Sequence, residues 1–166
     1  MLCFVGTIAT LGCDDLLGPG TDAALRTDRT EYRLQDTGIG LEGRIPFTFT
    51  NRTGGAVYVV NCNGNTPPAL QKRIDGRWVH AWSPVVSLCL SPPIVIGAGA
   101  TYADTLWVSA GHPGNNFYPK FEVLAVAGTY RLIWPNVLKS YDDSRSPFGE
   151  SLPLQERVSN PFEITR

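Results

Sequence analysis

The side chains able to do chemistry in this chain are few and widely spaced. The chain has four cysteines, Cys3, Cys13, Cys62 and Cys89, and two histidines, His80 and His112. No two cysteines stand in the CxxC spacing of a thiolate metal site. Nothing in the order of residues sets either histidine beside a cysteine, as a thiol nucleophile would need. Asp142-Asp143 is an acidic pair, but it lacks the alternating oxygen ligands of a calcium loop and reads as a solvated turn. His112, ahead of Pro113-Gly114, reads as a loop residue. Phosphate-cradling glycine loops, the dinucleotide fingerprint, HExxH and GxSxG are all missing. The expectation is a protein that is not an enzyme, with no catalytic residues, no metal ligands and no cofactor.

Two features are suited to binding instead. Trp78 and Trp82 lie close together, and tryptophan offers a large contact area at low entropic cost. They are a partner or sugar platform if exposed, and core residues if not. The span from Asn136 to Asn160 is longer than the usual connection of about 2–6 residues, and it carries Tyr141, Arg145 and Phe148. Those five residues are the candidate partner-binding set. Nucleic acid is excluded as a partner: Lys+Arg 14 against Asp+Glu 15 leaves a net charge of -1, with no basic excess to displace phosphate counterions.

The elements that must position these residues read as strands. A length of 166 residues suits one domain, and 43% hydrophobic residues suffice for a core. Gly 17 and Pro 13, with a lean to Val, Ile, Tyr and Phe, favour strands and turns over helices. Ala24 to Thr27 and Glu31 to Leu34 flank an Asp-Arg-Thr turn. Ile45, Phe47 and Phe49 alternate with Pro46, Thr48 and Thr50 as a half-buried strand, with Pro46 expected at a strand start or edge. A turn at Asn51–Gly55 leads to a strand from Ala56 to Val60. Asp75-Gly76 between strand-like runs predicts a two-residue type I′ hairpin. In that register Ile74 faces Arg77, and Arg73 faces Trp78 and can stack on it. Leu70, Ile74, Val79 and Ala81 then share one face, and Arg73, Trp78, His80 and Trp82 the other. Further strands are expected at Thr101 to Val108, Phe121 to Val126, Gly128 to Trp134 and Phe162 to Thr165. Seven to nine strands in all suggest a two-sheet sandwich.

The first twenty residues differ from the rest. Leu2 to Leu11 is an uncharged apolar run of about 10 residues, half of what a membrane-spanning helix needs and the length of a signal-peptide core. Leu11-Gly12-Cys13 comes next, then Asp14-Asp15 and Leu17-Gly18-Pro19-Gly20. This step resembles the lipobox of bacterial lipoproteins, although Thr10 stands where that family prefers Leu and no Lys or Arg precedes the run. The resemblance implies that residues 1–12 are a signal segment, that Cys13 carries the lipid and that residues 13–22 are a tether. It implies a protein held at the periplasmic or cell-surface face of a bacterial membrane. The other reading of the segment is a buried N-terminal strand. If Cys3 leaves with the signal and Cys13 is acylated, Cys62 and Cys89 remain to pair in an oxidising space. That disulfide would close a loop of about 28 residues, worth roughly 3.6 kcal/mol in the chain-entropy picture.

Residues 23–166 resemble the immunoglobulin-like sandwich modules of bacterial surface proteins, and the proteinase-inhibitor module of bacilli. The likeness lies in Leu25-Arg26-Thr27-Asp28 with Tyr32, Phe47-Thr48-Phe49-Thr50-Asn51, the Gly-Ala-Gly start before Thr101, and Ser159-Asn160-Pro161-Phe162. Gly128-Thr129-Tyr130 resembles the tyrosine corner of such sandwiches. The resemblance implies an all-β, immunoglobulin-like antiparallel sandwich. The expected role is a lipid-anchored binding or accessory subunit docked on a protein partner within a membrane complex. A protease-inhibitor-like or ligand-binding module is the alternative.

Overall fold

A computed structural model describes residues 22–86, 91–144 and 148–166. The apolar segment, Cys13, Cys89 and Arg145 lie outside the described residues. Within them the chain is all-β, with one 3₁₀ turn at Leu154–Glu156. Twelve strands are described, more than the seven to nine expected: β1 (Leu25–Thr27), β2 (Glu31–Arg33), β3 (Gln35–Asp36), β4 (Gly40–Thr50), β5 (Val57–Val59), β6 (Ala69–Ile74), β7 (Arg77–Trp82), β8 (Ile94–Ile96), β9 (Thr101–Gly111), β10 (Gly128–Ile133), β11 (Val137–Leu138) and β12 (Phe162–Thr165). The surplus comes from pieces of two or three residues, too short to carry a periodic signal.

Three sheets share one core. In the first, β4 pairs with β1 and β3 on one side and with β9 on the other; the second runs β2-β12-β10-β6-β7, and the third β11-β5-β8. The pairing is antiparallel except between β12 and β2. The Asp-Arg-Thr turn does not close a hairpin. It passes the chain from the first sheet (β1) to the second (β2), and the Tyr32 hydroxyl, donating to Asp28 Oδ1 at 2.5 Å, braces the crossing. Period-two alternation explains the core: Leu41, Ile45, Phe47 and Phe49 of β4 face Leu70, Tyr130, Leu132 and Phe162 of the second sheet. Trp134 sits at the centre, with Phe47, Phe49 and Tyr102 rings at 5.4–5.6 Å. Its indole N–H donates to Thr66 O at 2.7 Å.

Pro46 is not at a strand start. It lies inside β4, opposite Thr105 of β9. Its carbonyl accepts from Asp28 N–H, so its nitrogen faces the β1 side. β1 ends opposite Phe47 and β3 begins only opposite Glu42, so the donor that proline lacks falls in the gap between them.

The 74–77 hairpin has the expected turn, with Asp75 at φ 49° and Gly76 at φ 78°, and the expected pairs Ile74–Arg77 and Arg73–Trp78. Toward the far end of the hairpin, the register shifts at Leu70/Gln71: Ala81 is an extra residue on β7, and Leu70 lies opposite Trp82 instead of Ala81. One extra residue reverses the facing of the side chains beyond it. Trp82 therefore turns into the core and is 1% exposed.

Residues 121–126 form no strand, although Phe121, Val123 and Val126 are buried. Side chains take up backbone groups there that a ladder would have used. Lys72 Nζ donates to the carbonyls of Ala125 and Ala127, and the Tyr130 hydroxyl donates to Val126 O at 2.5 Å. The last contact ties the Tyr130 ring back to backbone four residues upstream.

Candidate functional site

The five candidate binding residues do not form one site. Trp82 is core, and Arg145 lies outside the described residues. Trp78 is half-buried on the outer face of the second sheet. The cation over it is Arg131, 4.5 Å from the ring, and not Arg73. The reason is lateral: Arg131 is opposite Gln71 on β10, and its Nε donates to Gln71 Oε1 at 2.8 Å, which holds the guanidinium over β6 toward Trp78. Tyr141 and Phe148 do meet. Their rings stack at 6.2 Å, and Tyr58 of β5 stacks on Tyr141 at 6.2 Å, giving a three-ring column.

That column belongs to a span more ordered than a free loop. β11 adds to β5 through Val137–Val59 and Leu138–Tyr58. Leu138 bridges to Ser151 and Ile133 to Val158, while Lys139 pairs with Glu150 at 2.5 Å. Val137, Leu152, Val158 and Ser159 are buried. The 136–160 span is thus pinned to the sheets at its buried residues, while Lys139-Ser140, Glu150-Ser151 and 153–155 are exposed and the aromatic column is partly open.

The other half of the candidate surface was not foreseen. Trp107 of β9 is 59% exposed on the outer face of the first sheet. Its neighbour across the ladder is Arg44, whose guanidinium lies 3.8 Å from the ring centroid. A groove of about 520 Å³ is lined there by Arg33, Gln35, Glu42, Arg44, Trp107 and Ser109. Its floor is bare backbone at Gly43, where the side-chain position is filled from below by Leu34. The signal was legible as alternation: Trp107 lies between Leu106 and Val108, both buried, so period two puts it outward.

The titratable groups are structural in position. His112 Nε2 lies 3.3 Å from Asp36 and His80 Nε2 3.4 Å from Ser83 Oγ. The Gly38 N–H donating to Asp36, helped by Arg166, holds that carboxyl below the usual carboxylate range. Burial, with Asp28 as hydrogen-bond partner, pushes the Tyr32 phenol up to about 12, and burial beside Asp104 does the same for Tyr102. Among the described residues no three His, Cys, Asp or Glu side chains gather as metal ligands, and no helix is long and apolar enough to cross a membrane. Compared with known family models, curated proteins and solved structures, the chain matches none.

Proposed function

We propose that the chain is an exported, lipid-anchored accessory subunit without enzymatic activity. In this reading an immunoglobulin-like sandwich docks on a protein partner at the periplasmic face of a larger membrane complex. The observation that carries the docking role is Trp107, exposed and stacked under the Arg44 guanidinium. Tryptophan and arginine are enriched among the residues that anchor interfaces, and a pair already stacked on each other has less freedom to lose on binding.

Export is supported by the surroundings of Cys62. Ser91 N–H donates to Asn61 O at 3.4 Å, and Ser91 Oγ accepts from Asn63 N–H at 2.8 Å. The chain two residues beyond Cys89 is thereby laced to both neighbours of Cys62, which suits a Cys62–Cys89 disulfide. Cys13 is the proposed acylation site, and two or more acyl chains would give stable anchoring.

The test is gentle detergent extraction of the native protein followed by affinity capture. A stoichiometric companion and a lipid adduct on Cys13 are the expected results. Recovery of the protein alone, or an unmodified Cys13, contradicts the reading.

A further inference from the structure

The first sheet ends in an unusual edge. β9 pairs with β4 along all eleven residues from Thr101 to Gly111, and no strand pairs with its other side among the described residues. The remaining outer strands of the three sheets are two or three residues long, apart from β7, where Glu122 N–H already takes the Ala81 carbonyl. Which groups β9 offers is decided by Pro46. Its carbonyl faces β1, so Pro46 and Thr105 form a pair that exchanges no hydrogen bonds, and the N–H and C=O of Thr105 point to the open edge. Alternation then sends the groups of Ala103, Trp107, Ser109 and Gly111 outward as well. Two contacts agree with this: Gly111 N–H donates outward to Pro119 O at 2.8 Å, and Thr105 N–H is taken by Asp104 Oδ1 at 2.7 Å. The N–H groups of Ala103, Trp107 and Ser109 have no partner among the described residues.

We infer that β9 is the docking edge and that its occupant is an extended segment of the partner, added as a further strand. The inference rests on the accessory-subunit reading and specifies how the partner is held. In strand addition the backbone gives affinity and alternate side chains give specificity. Here the specificity is for acid. Arg44 of β4 lies over the ring of Trp107, so its cation sits on the outer face beside the residue with which an added strand would pair. A carboxylate on that strand opposite Trp107 meets the guanidinium. Arg33 in the same groove adds a second positive charge against the single negative charge of Glu42, so the groove stays positive on balance. A second copy of this chain is the poorer occupant. A two-fold at Trp107 sets two Arg44 cations together, and one at Thr105 brings two Asp104 carboxylates onto the shared edge.

The probe is a pair of blocked heptapeptides, Val-Thr-Val-Glu-Val-Thr-Val and the same sequence with Lys for Glu, titrated into the full chain with amide shifts followed by NMR. The expected result is shifts confined to the amides of Ala103 to Ser109, with the Glu peptide bound about tenfold tighter than the Lys peptide, a difference of roughly 1.4 kcal/mol. Arg44→Glu reverses the preference. Ser109→Pro removes an outward N–H without breaking a β4–β9 bond, so it abolishes binding while leaving the thermal midpoint near that of the parent. Absence of these shifts at millimolar peptide, equal affinity for the two peptides, or undiminished binding by Ser109→Pro overturns the inference. A companion that copurifies but footprints on other residues also overturns it, and leaves the accessory-subunit reading standing.

Discussion

Two buried tryptophans, Trp82 and Trp134, are both core residues, yet they differ by one hydrogen bond. Trp134 donates to Thr66 O, while the Trp82 indole N–H has no acceptor among the described residues. Replacement by Phe removes similar volume at each site but orphans a buried carbonyl only at 134. Trp134→Phe is therefore expected to cost about 1–3 kcal/mol more than Trp82→Phe in urea unfolding. Equal losses would contradict the assigned contact. Asn51 works on the same scale. Fully buried, it donates to Gly55 O and Ile96 O at 2.8 Å and accepts from Thr53, tying two turns together. Asn51→Ala should cost about 3 kcal/mol, measured as a shift of the urea midpoint. The sequence alone offered Asn51 as a turn residue, because burial of a polar side chain leaves no periodic mark. Tyr32 and Tyr102 make a pH prediction. Both phenols are raised to about 12, so the folded state favours the protonated form. Their stabilisation is complete below pH of about 10, the unfolded value, and is lost as pH rises from there toward 12. Phenolate absorbance from these two rings should appear together with loss of near-ultraviolet circular dichroism, and titration in the intact fold near pH 10 would refute the assignment.

At the level of elements, the strongest patterns in the sequence became the strands they implied. The Ile45–Phe49 alternation became the inner face of β4, and Asp75-Gly76 became the I′ turn. What alternation could not disclose was a change of phase. The bulge opposite Leu70/Gln71 adds one residue, Ala81, to β7, and that alone moves Trp82 from the expected binding face to the core. Residues 121–126 failed as a strand for a different reason: Lys72 and Tyr130 supply side-chain donors to their backbone, which competes with a ladder. Lys72 is where this competition can be checked. It is buried on the inner face of β6, and burial lowers its pKa, opposed by Glu163. Lys72→Met keeps the stem but leaves two carbonyls without their donor. It should destabilise by about 2 kcal/mol and speed amide exchange across 121–127, and an unchanged exchange pattern there would show that the lysine does not hold this segment.

The whole molecule has two ends. Asp22, where the described chain begins, is held by Arg52 at the Asn51–Gly55 turn, so any tether leaves from that end of β4. The opposite end carries Ile39 and the 112–120 loop with Phe117 and Tyr118, all exposed. The β9 edge runs between the two ends, clear of the tether's exit. A subunit fastened at one end would present this edge sideways to a neighbouring protein. Export carries its own check: under denaturation, Cys62 and Cys89 should resist thiol labelling until reduced. Two reactive thiols would remove both the disulfide and the oxidising compartment from the account. Of this arrangement the sequence disclosed the all-β class. It did not disclose the edge, since strand order is decided by contacts between residues far apart in the chain.

The docking role proposed for Trp107 is tested most directly by capturing the native protein and its Trp107→Ala variant from detergent extracts at equal expression. The parent should bring down a stoichiometric companion, and the variant should lose it by tenfold or more, the loss expected of an interface anchor worth at least about 1.4 kcal/mol. A variant that retains its companion in full would contradict the account.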